Sequence, residues 1–360
     1  MAMPQTAPHR AADWQTIDEI VRAARTALTP EIWDYVSGGA DSETTLRRNA
    51  QGFHRLALKP RALRDMRQID LSTTLLGHRF ALPFFPTAIG SLELVCPDGV
   101  LAAARAATAL GTTACVSVLS NHPIGRIAAA ATGPLILQVY MAGDAAWFAD
   151  TAAQARDAGC LAIAITVDTA RYGRRERDLT NRFSSRGAID RPGLAGTDAA
   201  RRDICRAGFD WAMLDRVRAL SDLPIILKGI GCPEDAVLAA DAGVTCLYVS
   251  NHGGRQLDHG PAAIDQLDAI AQAVGDRVEL VMDGGITRGT DVVKALALGA
   301  RAVGLGRLQA HALAAGGADG LRRALGILAE ETEIAMALAG AASVAALTRD
   351  CLWPGAMPPV

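Results

Sequence analysis

The stretch Cys246-Leu247-Tyr248-Val249-Ser250-Asn251-His252-Gly253-Gly254-Arg255-Gln256 decides how this chain reads. An apolar run suited to a buried strand breaks directly into a glycine-rich loop that carries an imidazole and a guanidinium. The imidazole is the side chain best suited to take a proton near neutral pH, and a guanidinium can hold a carboxylate through two parallel hydrogen bonds. The two glycines let the backbone turn sharply beside a large ligand. Alone, the loop is equally compatible with a His that caps the next helix and an Arg that pairs with a surface carboxylate. The positions of the other polar residues separate these readings.

Working outward, the same form recurs. Strand candidates are Leu82–Ala88, Thr112–Val118, Leu135–Tyr140, Leu161–Val167, Pro224–Lys228, Cys246–Ser250, Val278–Asp283 and Ala302–Gly306. Each precedes an Ala-rich helical segment, the pattern of parallel strands joined by crossover helices. About eight such units between Leu82 and Gly340 match the number, and the roughly 250 residues, of an α/β fold of the (β/α)8 TIM-barrel type. A doubly wound open sheet is the alternative, weakened because no G-x-G-x-x-G follows an early strand.

The 360 residues are read as one domain: a helical extension over 1–81, the barrel over 82–340 and a tail over 341–360. Trp14, Ile17, Ile20, Val21, Ala24 and Leu28 recur at helical spacing, and Thr29-Pro30-Glu31 starts a second helix. The segment 169–208 is too long and too polar for an ordinary loop and is expected to be a mobile lid. Half of the residues are hydrophobic and 21% charged, which suits a globular core. A net charge of -2 and 4% aromatics, without a basic and aromatic stripe, argue against nucleic acid. Met1–Arg10 lacks the apolar core of a signal peptide and no apolar run spans a bilayer, so a cytoplasmic protein without membrane attachment is expected. Seven cysteines without close pairs suggest neither disulfides nor a metal site.

In a barrel of this type the C-terminal ends of the strands converge on one mouth. Here those ends carry Thr87 and Ala88, Ser117, Gln138 and Tyr140, Thr166 and Asp168, Lys228, Ser250 and His252, Asp283, then Gly306 and Arg307. So many hydrogen-bonding groups at one rim call for a ligand with many polar atoms, which points to a cofactor. Asp283-Gly284-Gly285 and Gly304-Leu305-Gly306-Arg307 lie where barrels bind phosphate through backbone amides and a helix N-terminus. Lys228 leaves a buried strand, so its cation would act strongly on charge developing in a cofactor.

These residues resemble the FMN-dependent L-2-hydroxy acid oxidases and dehydrogenases, a family that includes glycolate oxidase, lactate oxidase and mandelate dehydrogenase. The resemblance covers nearly the whole chain. It rests on Trp33 to Ala40, Pro86-Thr87-Ala88, Leu137 to Tyr140, Thr166 to Thr169, Gly173 to Glu176, Lys228-Gly229, Ser250 to Asp258 and Asp283-Gly284-Gly285. It implies FMN as cofactor and His252 as catalytic base, with Asp168 orienting it. Arg175 and Arg255 would grip the substrate carboxylate, with Tyr35 and Tyr140 as hydrogen-bond donors. Lys228 would face the pyrimidine edge of the flavin, while Ser117, Gln138 and Thr166 would hold its ring. Such a site oxidises a 2-hydroxy acid to the 2-oxo acid, with oxygen or another acceptor taking the electrons, and family members commonly form tetramers.

The chain departs from the family in places. Thr287 in Gly285-Ile286-Thr287-Arg288 stands where an arginine is usual, leaving Arg288 and Arg307 as candidate phosphate cations. The loop between Pro86 and Pro97 runs about two residues longer than the family pattern. Leu119 takes the place of a tryptophan in glycolate oxidase, which implies a larger pocket. Ser120-Asn121, Arg175 to Leu179 and Asn181-Arg182-Phe183 resemble mandelate dehydrogenase, so a bulky or aromatic acid such as mandelate is expected. Ser184–Gly208 lacks the apolar insertion of membrane-associated relatives, and no haem domain fits before the barrel. Two other readings compete: a non-flavin barrel isomerase or lyase acting on a phosphorylated substrate, and a non-catalytic FMN-binding barrel.

Overall fold

A computed structural model describes residues 11–185 and 190–353. Parts of the expected extension, lid and tail, namely 1–10, 186–189 and 354–360, lie outside the described residues. All eight strand candidates form strands, seven of them shorter than the apolar run and the fifth extended past Lys228 to Ile230: β1 (Phe84–Pro86), β2 (Cys115–Ser117), β3 (Ile136–Val139), β4 (Ala162–Thr166), β5 (Ile225–Ile230), β6 (Cys246–Val249), β7 (Glu279–Asp283) and β8 (Ala302–Leu305). They pair in parallel in the order β1-β8-β7-β6-β5-β4-β3-β2. This is a nearly closed (β/α)8 barrel. At the seam, where β1 and β2 form no ladder, Thr112 Oγ1 donates to Phe84 O at 2.8 Å and Ala81 N–H to Gly111 O at 2.9 Å.

The strands read as apolar runs because both faces are covered. Outward side chains such as Ile163, Ile165, Leu227 and Val249 pack under the helices. Inward ones, including Phe85, Ile136, Ala164, Ile226 and Tyr248, fill the barrel. A hairpin of Thr73–Leu75 and His78–Phe80 precedes the barrel and adds buried Leu75 and Phe80 to that inner cluster. Strand register then sets the mouth: Thr166 pairs with Lys228, and Lys228 with Tyr248, so their side chains start from one level.

The expected N-terminal helices form at Ile17–Ala27 and Pro30–Ser37. Thr16 and Glu19 make a capping box on the first, and Thr29 caps the second with Pro30 at its first turn. Ile17, Ile20 and Ala24 bury one stripe against the last segment, Arg307–Ala339, which breaks at Gly316-Gly317. The polar segment after β4 carries helices Glu176–Thr180 and Ala199–Ala207 and a turn at Pro192–Leu194. It is pinned to the extension by Arg177 pairing with Glu43 at 2.5 Å, Asn181 Nδ2 donating to Asp34 at 2.9 Å, and Asp41 N–H donating to Arg174 O at 2.7 Å. Among the described residues, no helix is long and apolar enough to cross a membrane, no trio of His, Cys, Asp or Glu could hold a metal, and all seven cysteines are free.

Candidate active site

The strand ends open into a cavity of about 660 Å³, within the roughly 300–1,000 Å³ usual for small-molecule sites. Thirteen of the residues expected there line it: Tyr35, Thr87, Ala88, Tyr140, Arg175, Lys228, His252, Arg255, Asp283, Gly284, Gly285, Gly306 and Arg307. Ser117, Gln138, Thr166, Asp168 and Ser250 stand behind this wall and bond to it or to one another. Arg288 does not line it, and its guanidinium pairs with Glu331 instead.

His252 leaves β6 in a left-handed conformation, φ +56°, which a non-glycine residue adopts only under local constraint. Its N–H is held by Ser250 Oγ at 3.0 Å, and its Nδ1 lies 3.0 and 3.2 Å from the two carboxylate oxygens of Asp168. Because a carboxylate accepts, Nδ1 carries a proton, so in the neutral imidazole Nε2 is the nitrogen with the free lone pair. Asp168 follows β4 and crosses β5 to reach the imidazole. A side chain at Gly229 would block that crossing, since its Cβ would lie 2.7 Å from that of Asp168. This explains glycine directly after Lys228.

On the extension side, Arg255 uses Nη1 on two carbonyls, Tyr35 O at 2.6 Å and Gly38 O at 2.9 Å. The edge formed by Nε and Nη2 remains for an anion. Burial and the neighbouring Arg175 push Arg255 down to about 9, and burial brings Arg307 down to about 10. Both remain charged at neutral pH, so these cations crowd one site that an anion would relieve. The Nε of Arg175 is itself buried with no partner among the described residues. Tyr140 lies beside His252 with ring centroids 6.5 Å apart, and burial, Tyr172 and Asp168 push its hydroxyl well up, so it stays a donor.

Beneath the mouth runs a polar chain. Lys228 Nζ donates to Asp283 at 2.7 Å and Ser250 Oγ at 2.8 Å, while Thr87 Oγ1 donates to Asp283 at 3.2 Å and accepts from Tyr248 at 2.7 Å. Burial raises the Asp283 carboxyl, but the charge and hydrogen bond of Lys228 outweigh this and hold it low. A second chain runs Ser117 to Gln138 at 2.7 Å and Gln138 to Thr166 at 2.9 Å. The Tyr248 hydroxyl inside the barrel was not legible from an apolar run, since its partner Thr87 lies 161 residues away.

The phosphate end differs from expectation at Arg288. Its guanidinium turns outward to Glu331 at 2.7 Å and does not line the cavity. Asp291 accounts for this: its carboxylate accepts from the N–H groups of Thr287 and Arg288, both at 3.0 Å, and closes the helix start. Arg307 remains, with three of five N–H groups donated to the carbonyls of Ser37, Gly38 and Gly253 and two left over. Gly284 and Gly285 sit at φ +102° and +91°, and a Cβ on Gly285 would lie 2.8 Å from Asn49 O. Backbone and one guanidinium therefore form a cradle that fits a phosphate, with the Lys228 cation nearby to suit an electron-rich ring.

Such a mouth suits a barrel enzyme that holds a phosphate-bearing redox cofactor beside a small anionic substrate. Residues 24–354 match the family model described as FMN-dependent dehydrogenase, and the chain belongs to that family. It is 39% identical over 344 residues to the peroxisomal (S)-2-hydroxyacid oxidase GLO3 of Arabidopsis thaliana, covering 93% of this chain and 95% of that protein. Glycolate oxidase 1 of Oryza sativa subsp. indica is 38% identical over 339 residues, covering 91% and 92%. The solved structure of mandelate oxidase with benzoyl-formic acid superposes with a TM-score of 0.88 at 40% identity, over 94% of this chain and 98% of that one. The protein is thus an FMN-dependent enzyme of the 2-hydroxy acid oxidase family, which sets aside the non-flavin isomerase and the non-catalytic barrel.

Thr287 has a measurable consequence. Thr287→Arg places a second guanidinium beside the cradle, and a hydrogen bond to a charged group is worth about 1.5–3 kcal/mol. FMN is expected to bind the variant at least about tenfold more tightly, read by quenching of flavin fluorescence on titration into FMN-free protein. Equal affinities would show that the backbone and Arg307 already saturate the phosphate.

Proposed function

We propose that the protein oxidises a bulky, aromatic-type (S)-2-hydroxy acid such as mandelate to the 2-oxo acid, with His252 as base and oxygen as final acceptor. The observation that carries this reading is the His252–Asp168 pair, which fixes a free Nε2 lone pair on the wall of a cavity shared with Arg175 and Arg255. The carboxylate binds the free edge of Arg255 and the unpartnered Nε of Arg175, which draws the hydroxyl toward His252. Tyr140, kept protonated, donates to that hydroxyl oxygen. Nε2 takes a proton, and Asp168 at 3.0 Å steadies the imidazolium that results. The glycine cradle and Arg307 would hold the phosphate of FMN and Lys228 would face its ring, and the bound flavin would supply the two-electron acceptor. Leu119 and Phe183 line the cavity and favour an apolar body over the hydrogen of glycolate.

The test is an anaerobic visible spectrum of FMN-loaded protein before and after S-mandelate, L-lactate and glycolate, added separately, and then air. Bleaching fastest with mandelate and rapid recolouring in air are expected. A larger specificity constant for glycolate would reject the bulky-acid reading, and slow recolouring would replace oxygen by another acceptor.

A further inference from the structure

Resting on that reading, we propose that Arg191 forms a second anion subsite, so that the substrate carries an acidic group at the end remote from its 2-hydroxy acid. Arg191 lines the cavity together with Ser91 and Leu119. It directly precedes the turn Pro192–Leu194, in the same polar segment whose helix Glu176–Thr180 starts just after Arg175. That turn is seated on the end of β2, where a Cβ on Gly193 would lie 2.5 Å from Val118 O. Arg255 and His252 follow β6. In a ring of eight strands β2 and β6 are four apart, so the turn that follows Arg191 and the loop that carries Arg255 sit on opposite sides of the mouth, and both arginines line the cavity between them.

The bonds of Arg191 leave it suited to an anion. Its Nη2 donates to Ser91 Oγ at 3.1 Å and to Ser185 O at 3.0 Å, both neutral acceptors. Its Nε is buried with no partner among the described residues. Ser91 holds a left-handed backbone, φ +81°, which costs free energy for a non-glycine residue and marks a position fixed by its surroundings. Charge accounting leads to the same place. On the proposed reading Arg255 and Arg175 meet the α-carboxylate, Arg307 meets the cofactor phosphate, and Lys228 is paired with Asp283. Arg174, which also lines the cavity, faces the carboxylate of Glu176 at 3.9 Å, which leaves Arg191 as the lining arginine among the described residues that no carboxylate and none of these groups engages. The apolar wall of Leu119 and Phe183 also lines the cavity. A substrate with an apolar or aromatic middle and a distal carboxylate complements all three features, and a guanidinium holds such a carboxylate in a two-pronged bond.

The test compares (S)-4-carboxymandelate with (S)-mandelate on the FMN-loaded enzyme, alongside calorimetric binding of 4-carboxybenzoylformate and benzoylformate. The native enzyme is expected to prefer the carboxylated member of each pair by about tenfold or more. Arg191→Met should remove that preference, and Arg191→Lys, which keeps the charge and guards against a folding defect, should retain part of it. A ratio near one in the native enzyme, or a ratio unchanged in Arg191→Met, overturns the subsite. Selective binding of the carboxylated oxo acid that depends on Arg191 supports it even if no acid bleaches the flavin, an outcome that would sink the oxidation reading instead.

Discussion

His252→Gln is expected to retain FMN yet reduce it about 10²–10⁴-fold more slowly on mixing with the preferred 2-hydroxy acid. Glutamine can still donate a hydrogen bond to Asp168 from a side chain of similar reach, so the loop keeps its anchor. What it lacks is a basic nitrogen. The backbone constraint at position 252 is met by the Ser250 hydroxyl and by Gly253 and Gly254, both at positive φ, so the turn does not depend on the imidazole. The cradle of Gly284, Gly285 and Arg307 is built by other elements, which predicts unchanged FMN stoichiometry after gel filtration. The measurement is anaerobic rapid mixing that follows loss of oxidised flavin colour. A reduction rate within a few-fold of native would move the base role to another group in the cavity.

Some features of this fold are written locally in the chain and others are not. The barrel is legible because strands buried on both faces produce contiguous apolar runs, and because parallel strands deliver their ends to one mouth. For that reason Asp168, Lys228, His252 and Asp283 could be placed together although no two are neighbours in the chain. Side-chain direction is less local. Arg288 and Thr287 are adjacent, yet the Asp291 carboxylate fixes the backbone between them so that the arginine faces Glu331, 43 residues on. Arg191 lies in a polar segment without periodicity, and only the seating of Gly193 on Val118 brings it to the cavity. The same segment reads as a lid because it is long and charged. Its attachment through Arg177 and Glu43, 134 residues apart, is a tertiary pairing with no signature in either local stretch. Some of the charged and polar residues that make the segment read as a lid, Arg177 and Asn181, are contacts that tie it to the extension.

Asp283→Ala is expected to destabilise the FMN-free protein by about 3–5 kcal/mol, the usual cost of leaving one member of a buried ion pair alone. The side chains of Lys228 and Asp283 are only 5% and 8% exposed, so water cannot replace the lost carboxylate. The stranded ammonium would keep Ser250 Oγ and the face of the Tyr248 ring, 4.2 Å away, neither of which carries a compensating charge. Thr87 would lose an acceptor in the same step. Urea unfolding of the FMN-free protein isolates this effect, because bound cofactor adds stabilisation of its own. The double variant Lys228→Met with Asp283→Ala removes both charges and should be more stable than Asp283→Ala alone; additive losses would show that the two charges do not stabilise each other. pH gives an independent check. Since Lys228 holds the Asp283 carboxyl below its ordinary value against the effect of burial, its contribution is present above the unfolded carboxylate value of about 3.9 and is lost as pH falls through the lower folded value. The stability gap between native and Asp283→Ala should therefore be full at neutral pH and narrow on strong acidification.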